Sequence, residues 1–216
     1  MNENQNKYPA SLFIDYPDKP RNKMTVFFRL ITVIPIGIIL SLISGSTFER
    51  TVNNATYEIT YEIGAAGGIV FLALVLMILF QQKYPKWWFE WNVALTKFSY
   101  RVSSYILLLR DEYPSTDEEQ AVHIDIAYPD VKNDLNSGMP LIKWFLAIPH
   151  YFILAFLIIA AAISVIIAWF AILFTGKYPE GLFNFVTGVL RWGLRVIAYA
   201  TLLVTDTYPP FTLEAD

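Results

Sequence analysis

Four basic residues occupy matching places in two segments of the chain. Lys97 and Arg101 lie in one segment, and Arg191 and Arg195 follow 94 positions later in the other. At 100° per residue, each pair falls on one line of a helix whose opposite face is mostly apolar or aromatic. Cations on such a line can bind anionic lipid headgroups or an acidic partner surface. With two matching tyrosines, the candidate binding residues are Lys97, Arg101, Arg191, Arg195, Tyr105 and Tyr199.

These segments belong to a longer internal repeat. Residues 79–109 recur without gaps at residues 173–203 with eleven identities, far above the ~6% per position expected from common residue usage. The repeat predicts two copies of one unit, residues 8–114 and 121–213, preceded by an N-terminal tail at residues 1–7.

The composition points to a membrane. Mean hydropathy is +0.42, and 55% of the residues are apolar while only 16% are charged. The chain has no cysteine, which excludes disulfides, thiolate metal sites and a cysteine nucleophile. Its net charge of −3 and scattered basic residues give no indication of nucleic-acid binding.

Three apolar stretches are candidates for membrane-spanning helices. A helix needs roughly 20 residues to cross a bilayer. In the first copy, residues 26–44 and 63–80 predict a transmembrane hairpin around a polar outside loop at residues 46–62. In the second copy, one apolar run covers residues 141–174. As one helix this run would be about 51 Å long, so we expect a short hairpin that turns near residues 159–164; one long helix is the alternative.

Lysine and arginine positions predict the orientation. Of the sixteen Lys and Arg residues, only Arg50 falls in the outside loop if both copies form hairpins. Basic residues accumulate on the cytoplasmic side of membrane proteins. A multi-pass protein with both termini in the cytoplasm follows from this bias.

Two elements of each copy are predicted to lie on the cytoplasmic side. Alternating residues at 11–16 and 121–128 read as short strands that pair with each other, and residues 56–63 are a third strand candidate. The repeated segments at residues 86–109 and 181–204 are predicted to be amphipathic helices in the membrane interface. Crossing the bilayer instead would place two cations per copy near its centre, at ~2.5–3.5 kcal/mol per charge.

Proline and tyrosine mark the boundaries between these elements. Seven of the thirteen tyrosines precede proline, which disfavours helix at the preceding residue. We expect these tyrosines to sit at the headgroup level with their hydroxyls in water. Pro35 and Pro149 occupy matching places inside the first apolar helix of each copy, where each should bend the helix.

Residues suited to catalysis are few. His150 lies inside an apolar run, has Ile36 at its matching place, and is expected to form a hydrogen bond across a helix interface. His123 has no metal-ligand spacing, and serine-hydrolase and phosphate-loop motifs are absent from the sequence. No cofactor or metal is therefore expected, and the chain is not predicted to be an enzyme.

Several stretches together resemble a bacterial membrane family known as the domain of unknown function 4389 family. They are IDYPDKPRNKMTVFFRLITVIP, IKWFLAIPHYFILAF, AWFAILFTGKYPEGLFNFVTGVLRWGLRVIAYATLLVTD and TYPPFTLE. The first copy departs from the GLFNF pattern and reads WWFEW at residues 87–91. The resemblance implies an integral membrane protein without an assigned activity.

Together these observations predict an α-helical integral membrane protein of the bacterial inner membrane. Each of its two pseudo-repeats would contain a transmembrane hairpin, a cytoplasmic interfacial helix and a short cytoplasmic strand. The expected function is non-enzymatic, a cytoplasmic surface for lipid headgroups or a membrane-protein partner, with a homo-oligomer possible. An oligomeric channel or small-solute transporter is the alternative, since four helices leave little room for a pathway within one chain.

Overall fold

The computed structural model describes residues 8–44 and 69–215, without the side chains of residues 42–44 and 69–72. The described chain is mostly helical and contains one small sheet. Its elements in chain order are β1 (Ala10–Ile14), α1 (Lys23–Phe27), α2 (Arg29–Thr32), α3 (Ile34–Ser44), α4 (Ile69–Gln81), α5 (Lys86–Ile106), β2 (Val122–Ile126), α6 (Met139–Leu146), α7 (Ile148–Thr175) and α8 (Glu180–Ala200).

The sheet joins the two predicted strands. β1 and β2 pair antiparallel, with Leu12 opposite Ile124 at the centre of the register. Alternate residues of both strands are buried, whereas Phe13 and His123 point away from the core. Strand pairing between residues 112 positions apart therefore confirms the prediction that these segments pair with each other.

β1 runs along α8. The Tyr8 hydroxyl donates to the Arg195 carbonyl at 3.3 Å, Arg191 Nε donates to the Leu12 carbonyl at 2.9 Å, and the Tyr16 hydroxyl donates to the Tyr178 carbonyl. Eight extended residues and seventeen residues of helix both span about 25 Å. Residues 8–16, which include β1, therefore run roughly antiparallel to residues 178–195, which include most of α8.

α7 covers the other side of α8. The two helices are joined by a short turn in which Gly176 adopts a left-handed conformation, with φ of 77°. At one end Ala147 and Leu154 pack with Val196 and Tyr199. Toward the turn, buried residues of α7 and α8 share the main hydrophobic core, among them Ala168, Ile172, Phe183 and Val186. α7 and α8 consequently run antiparallel, and α8 lies between α7 and the sheet.

The predicted hairpin within residues 141–174 is wrong. α7 is one continuous helix of 28 residues, and the region of residues 159–164, where a turn was expected, is helical. No glycine or proline interrupts that region, and the whole helix packs along α8, so nothing favours a turn. The sequence predicted that the two halves of this run would pack against each other. In the structure, α7 packs against α8 instead.

The two matching prolines do interrupt helices. The helical pattern breaks at Val33 and at Ala147, each two residues before Pro35 or Pro149. Proline lacks an N–H and its ring crowds the preceding turn, which explains a break at this place. Because of this break and another at Phe28, residues 26–44 form parts of α1, α2 and α3, not the single predicted helix.

Several predictions concern residues outside the described ranges. The N-terminal tail at residues 1–7, the polar loop at residues 46–62 and the strand candidate at residues 56–63 all lie there. Within the described ranges, α7 alone is long and apolar enough to cross a membrane. The predicted amphipathic segments correspond to α5 and α8, whose bounds differ from the prediction by a few residues.

Gly188 is the point where the C-terminal segment comes closest to α8. A Cβ atom there would lie 2.8 Å from the Leu213 Cβ and 2.9 Å from its carbonyl oxygen. We expect Gly188→Ala to lower the free energy of unfolding by about 1–3 kcal/mol, because the segment must shift. Gly181→Ala is the matched control in the same helix, since a Cβ there meets nothing within 4 Å. Denaturant unfolding in detergent micelles measures both, and equal stabilities would contradict the close packing of Leu213.

Candidate functional site

The four predicted cations line one cavity, although they come from two helices. α5 supplies Lys97 and Arg101, and α8 supplies Arg191 and Arg195. The cavity has a volume of about 340 Å³ and is closed on another side by β1 and β2. We call this cavity, defined by its four cations, the cationic pocket.

Three arginines of the cationic pocket also hold neighbouring backbone in place. Arg101 Nη1 donates to the Ser115 carbonyl at 2.9 Å, and Arg195 donates to the Thr212 and Glu214 carbonyls at 3.1 and 2.8 Å. Arg191 Nη1 donates to the Leu213 carbonyl at 2.7 Å. Carbonyl groups satisfy guanidinium hydrogen bonds without removing the positive charge. The bonds therefore fix the arginines in the wall of the pocket.

Burial separates the four cations into two kinds. Arg101 and Arg195 are buried, whereas Lys97 and Arg191 are partly exposed. Within the described residues, neither Lys97 nor Arg101 forms an ion pair, and Arg101 Nε has no hydrogen-bond partner. Buried polar atoms of this kind usually meet a partner such as water or an ion. Arg101 thus keeps an unpartnered N–H in the buried wall of the pocket.

Sequence reasoning missed the ionisable residues that β2 and the segment just before it contribute to the pocket. Glu119, His123 and Asp125 line the same cavity. His123 Nε2 lies 3.1 Å from an Asp15 carboxylate oxygen and its ring stacks on Phe13. The outward positions of β2, which alternate with its buried ones, would have identified His123 and Asp125 once the strand was placed.

Tyr105 and Tyr199 lie elsewhere, against two other cations. The Arg29 guanidinium lies 3.9 Å from the centre of the Tyr105 ring, and the Lys143 ammonium lies 5.2 Å from that of Tyr199. Both tyrosines are buried. The sequence predicted that these tyrosines support the four cations, but in the structure they contact Arg29 and Lys143 instead.

The two cations beside these tyrosines are buried and form ion pairs with partly exposed acids. Arg29 pairs with Asp111, and Lys143 Nζ lies 2.8 Å from an Asp206 carboxylate oxygen. Each cation also donates to a backbone carbonyl just before its acid, at 3.0 Å for Arg29 and 2.8 Å for Lys143. Each pair thereby ties the start of an apolar helix to the chain that follows α5 or α8.

Three tyrosines that precede proline are buried, so the expectation of wet hydroxyls is wrong for Tyr8, Tyr84 and Tyr178. The Tyr84 hydroxyl donates to the Leu202 carbonyl at 3.0 Å, and its own carbonyl accepts from Tyr128. Burial raises the pKa of Tyr84 and Tyr178 well above the ordinary tyrosine value. Each proline marks an element boundary as expected, with Pro85 and Pro179 as the N-caps of α5 and α8. The core, not water, surrounds the phenol rings.

His150 forms the hydrogen bond expected of it. The ring is fully buried, and Nδ1 accepts from Trp192 Nε1 at 3.0 Å, across the interface of α7 and α8. Phe211 stacks on the imidazole with a centroid separation of 4.1 Å. His150 therefore joins α7 to α8 and to the C-terminal segment. No group of three or more potential metal ligands occurs in the part of the chain that the structure describes.

The fold and site define a mostly helical protein with a two-stranded sheet, a cationic pocket and one helix that could cross a membrane. A family model described as Domain of unknown function (DUF4389) matches residues 140–212. The match confirms the resemblance over this stretch, from α6 to the C-terminal segment. No curated protein and no solved structure matches the chain.

Loss of the Lys143–Asp206 pair tests its structural role. Lys143→Met leaves the partly buried Asp206 carboxylate without its cation, so we expect the free energy of unfolding to fall by about 3 kcal/mol. The double variant Lys143→Met/Asp206→Asn should regain part of that loss, because no unpaired charge remains. Lys132→Met, at an exposed lysine, is the control. A Lys143→Met loss no larger than the control's would show that the pair contributes nothing.

Alkaline titration tests the buried tyrosines. Burial raises the pKa of Tyr84, Tyr100 and Tyr178, whereas the unfolded chain ionises its tyrosines near pH ~10. The folded protein then retains protons that the unfolded chain releases, so stability should fall as the pH rises above about 10. Phenolate absorbance and circular dichroism followed together should show these three tyrosines ionising only with unfolding. Complete ionisation of the folded protein would refute their burial.

Proposed function

We propose that this protein is a membrane-bound binding protein, not an enzyme, whose cationic pocket takes an oxyanion of the phosphate type. The phosphate could belong to a lipid headgroup or to a small soluble ester, and both present the same charged oxygens. The convergence of four cations from α5 and α8 on one cavity is the observation that carries this proposal. Arginine recognises phosphate through paired N–H groups, and lysine adds a mobile charge.

Charge and size both support an oxyanion. Among the described residues that line the pocket, four cations face the two carboxylates Glu119 and Asp125. The backbone bonds of the arginines hold these cations before any ligand arrives, which lowers the cost of ordering them on binding. A cavity of about 340 Å³ accommodates a headgroup-sized ligand.

Duplication explains why the cations converge. Several contacts occur in matching pairs, including Arg29 with Asp111 and Lys143 with Asp206. In the same way, Tyr16 donates to the Tyr178 carbonyl and Tyr128 to the Tyr84 carbonyl. Two copies of one unit related by an approximate twofold axis would bring their equivalent cations together at the centre of the sheet. This supports residues 8–114 and 121–213 as the repeating units.

The apolar surface supports a membrane location. α7 carries no charged residue, and many of its large side chains are exposed, as expected of a helix in contact with lipid. We place the protein in the bacterial inner membrane with the sheet and the pocket on the predicted cytoplasmic side. Anionic lipid headgroups of that leaflet would then be available to the pocket.

Binding measurements on the purified full chain test the proposal. Lys97→Gln and Lys97→Gln/Arg191→Gln remove partly exposed cations, and each lost charged hydrogen bond costs about 1.5–3 kcal/mol. We expect affinity to fall at least tenfold for either variant. One arm uses inorganic phosphate and glycerol phosphate with protein in a neutral detergent; the other uses nanodiscs containing phosphatidylglycerol or only phosphatidylcholine.

The control variant Lys132→Gln/Lys177→Gln changes the net charge as much as Lys97→Gln/Arg191→Gln does, at exposed positions outside the pocket. It should bind as the unchanged protein does. Binding confined to phosphatidylglycerol identifies a headgroup site, and binding of free phosphate identifies a soluble ligand. Equal affinity of the pocket and control variants in both arms, or no binding in either, would reject the proposed function.

A further inference from the structure

We infer that α7 lies in the plane of the membrane, embedded in one leaflet, instead of crossing the bilayer. Lipid hydrocarbon therefore covers the exposed apolar face of α7 along the whole helix. This inference concerns the membrane-facing surface and does not depend on what the cationic pocket binds.

The layer order fixes the direction of α7 relative to the sheet. Hydrogen bonds at Tyr8, Leu12 and Tyr16 hold residues 8–16, with β1 at their centre, against residues 178–195, which include most of α8. α7 packs antiparallel against the opposite side of α8, also along its whole length. The three axes are thus roughly parallel, and any tilt of α7 into the membrane carries the sheet with it.

The exposed and buried faces of α7 are opposite. Its buried residues His150, Leu154, Ala161, Ser164, Ala168 and Ile172 follow one helix line and include the contacts to α8. At 100° per residue, a second line lies about 170° away and carries large exposed apolar side chains. They are Ile148, Phe152, Phe156, Ile159, Ile163, Ile166, Phe170 and Phe174. This line continues unbroken between the two ends of the helix, as a helix immersed sideways requires.

The far side of the molecule is polar. Asp15, His123 and Asp125 are at the surface of the sheet layer, on the side of α8 away from α7. A helix that crossed the bilayer would drag these ionisable groups and the sheet into hydrocarbon. Charges at the bilayer centre cost ~2.5–3.5 kcal/mol each, and the open edges of a two-stranded sheet have backbone groups that lipid cannot satisfy. An in-plane helix leaves all of them in water.

Length and the ends of α7 agree with this placement. A helix of 28 residues is about 42 Å long, more than the ~30 Å hydrocarbon core, but an in-plane helix has no such limit. Near its first turn His150 packs against Phe211 and Tyr208 of the C-terminal segment. At its other end the Gly176 carbonyl accepts from the Arg21 N–H, just beyond β1. One end of α7 therefore contacts the C-terminal segment, and the other contacts the chain that follows β1.

Depth measurements along α7 test the inference. The chain has no cysteine, so Phe152→Cys, Ile163→Cys and Phe174→Cys each provide one site for a nitroxide label on the exposed line. These side chains are 66%, 54% and 80% exposed, so the substitutions should leave the packing intact. In liposomes, we expect the three labels to lie at the same depth to within about 5 Å. A crossing helix would separate the outer two by about 33 Å along the membrane normal.

A second set on the same line, Phe156→Cys, Ile166→Cys and Phe170→Cys, replaces any variant that fails to fold. Phe13→Cys on the sheet is the reference for a position in water. We expect it to react with a membrane-impermeant thiol reagent. Phe152→Cys and Phe174→Cys reporting on opposite leaflets, or Ile163→Cys far deeper than both, would overturn the in-plane helix. Neither result would alter the phosphate-binding measurements, so the two proposals fail separately.

Discussion

The arrangement of this protein depends on covering α8 on two sides. Its apolar face packs against α7, and its other face carries Arg191 and Arg195 toward the sheet. A guanidinium as deeply buried as that of Arg195 is tolerable only if its N–H groups find acceptors. The carbonyls of Thr212 and Glu214 supply them, and the carbonyls of Leu12 and Leu213 do the same for Arg191. Satisfying these arginines therefore fixes β1 and the C-terminal segment on α8, and with them the pocket.

The same constraint gives the cationic pocket its character. A cation that contacts only carbonyl groups keeps its charge, so the bonds that build the fold also maintain a positive field beside the sheet. Burial lowers the pKa of Arg21 to about 10 even though Asp111 lies nearby, and Arg21 still carries its charge at neutral pH. Arg21 and Arg29 share that one acid, away from the pocket. The chain thus uses some cations to close its loops and others to line a cavity.

Sequence predicted elements better than it predicted their neighbours. The repeat located α5 and α8, the alternation at residues 11–16 and 121–128 located both strands, and the line of Lys97 and Arg101 marked the helix face that reaches the pocket. Periodicity identifies a polar line but not what covers it. The sequence therefore predicted lipid headgroups next to these cations, whereas the structure has the sheet and the C-terminal carbonyls there. The length of an apolar run likewise cannot distinguish two membrane-crossing helices from one long helix that packs against the following helix. For this reason the sequence predicted two helices where the structure has α7 alone. The phenol rings of Tyr84 and Tyr178 are buried by contacts with residues far away in the sequence, which no local pattern records.

Contact between the first and last parts of the chain also sets an order of events during synthesis. Tyr8 donates to the carbonyl of Arg195, 187 residues later, and among the described residues β1 pairs only with β2. At ribosomal rates of about 5–20 residues per second, Tyr8 leaves the ribosome roughly 10–40 s before Arg195 does. An unpaired strand with apolar residues is prone to pair wrongly during such a wait. Early delivery to the bilayer, or a chaperone held on the nascent N-terminal residues, would shelter β1 until its docking surface has been made.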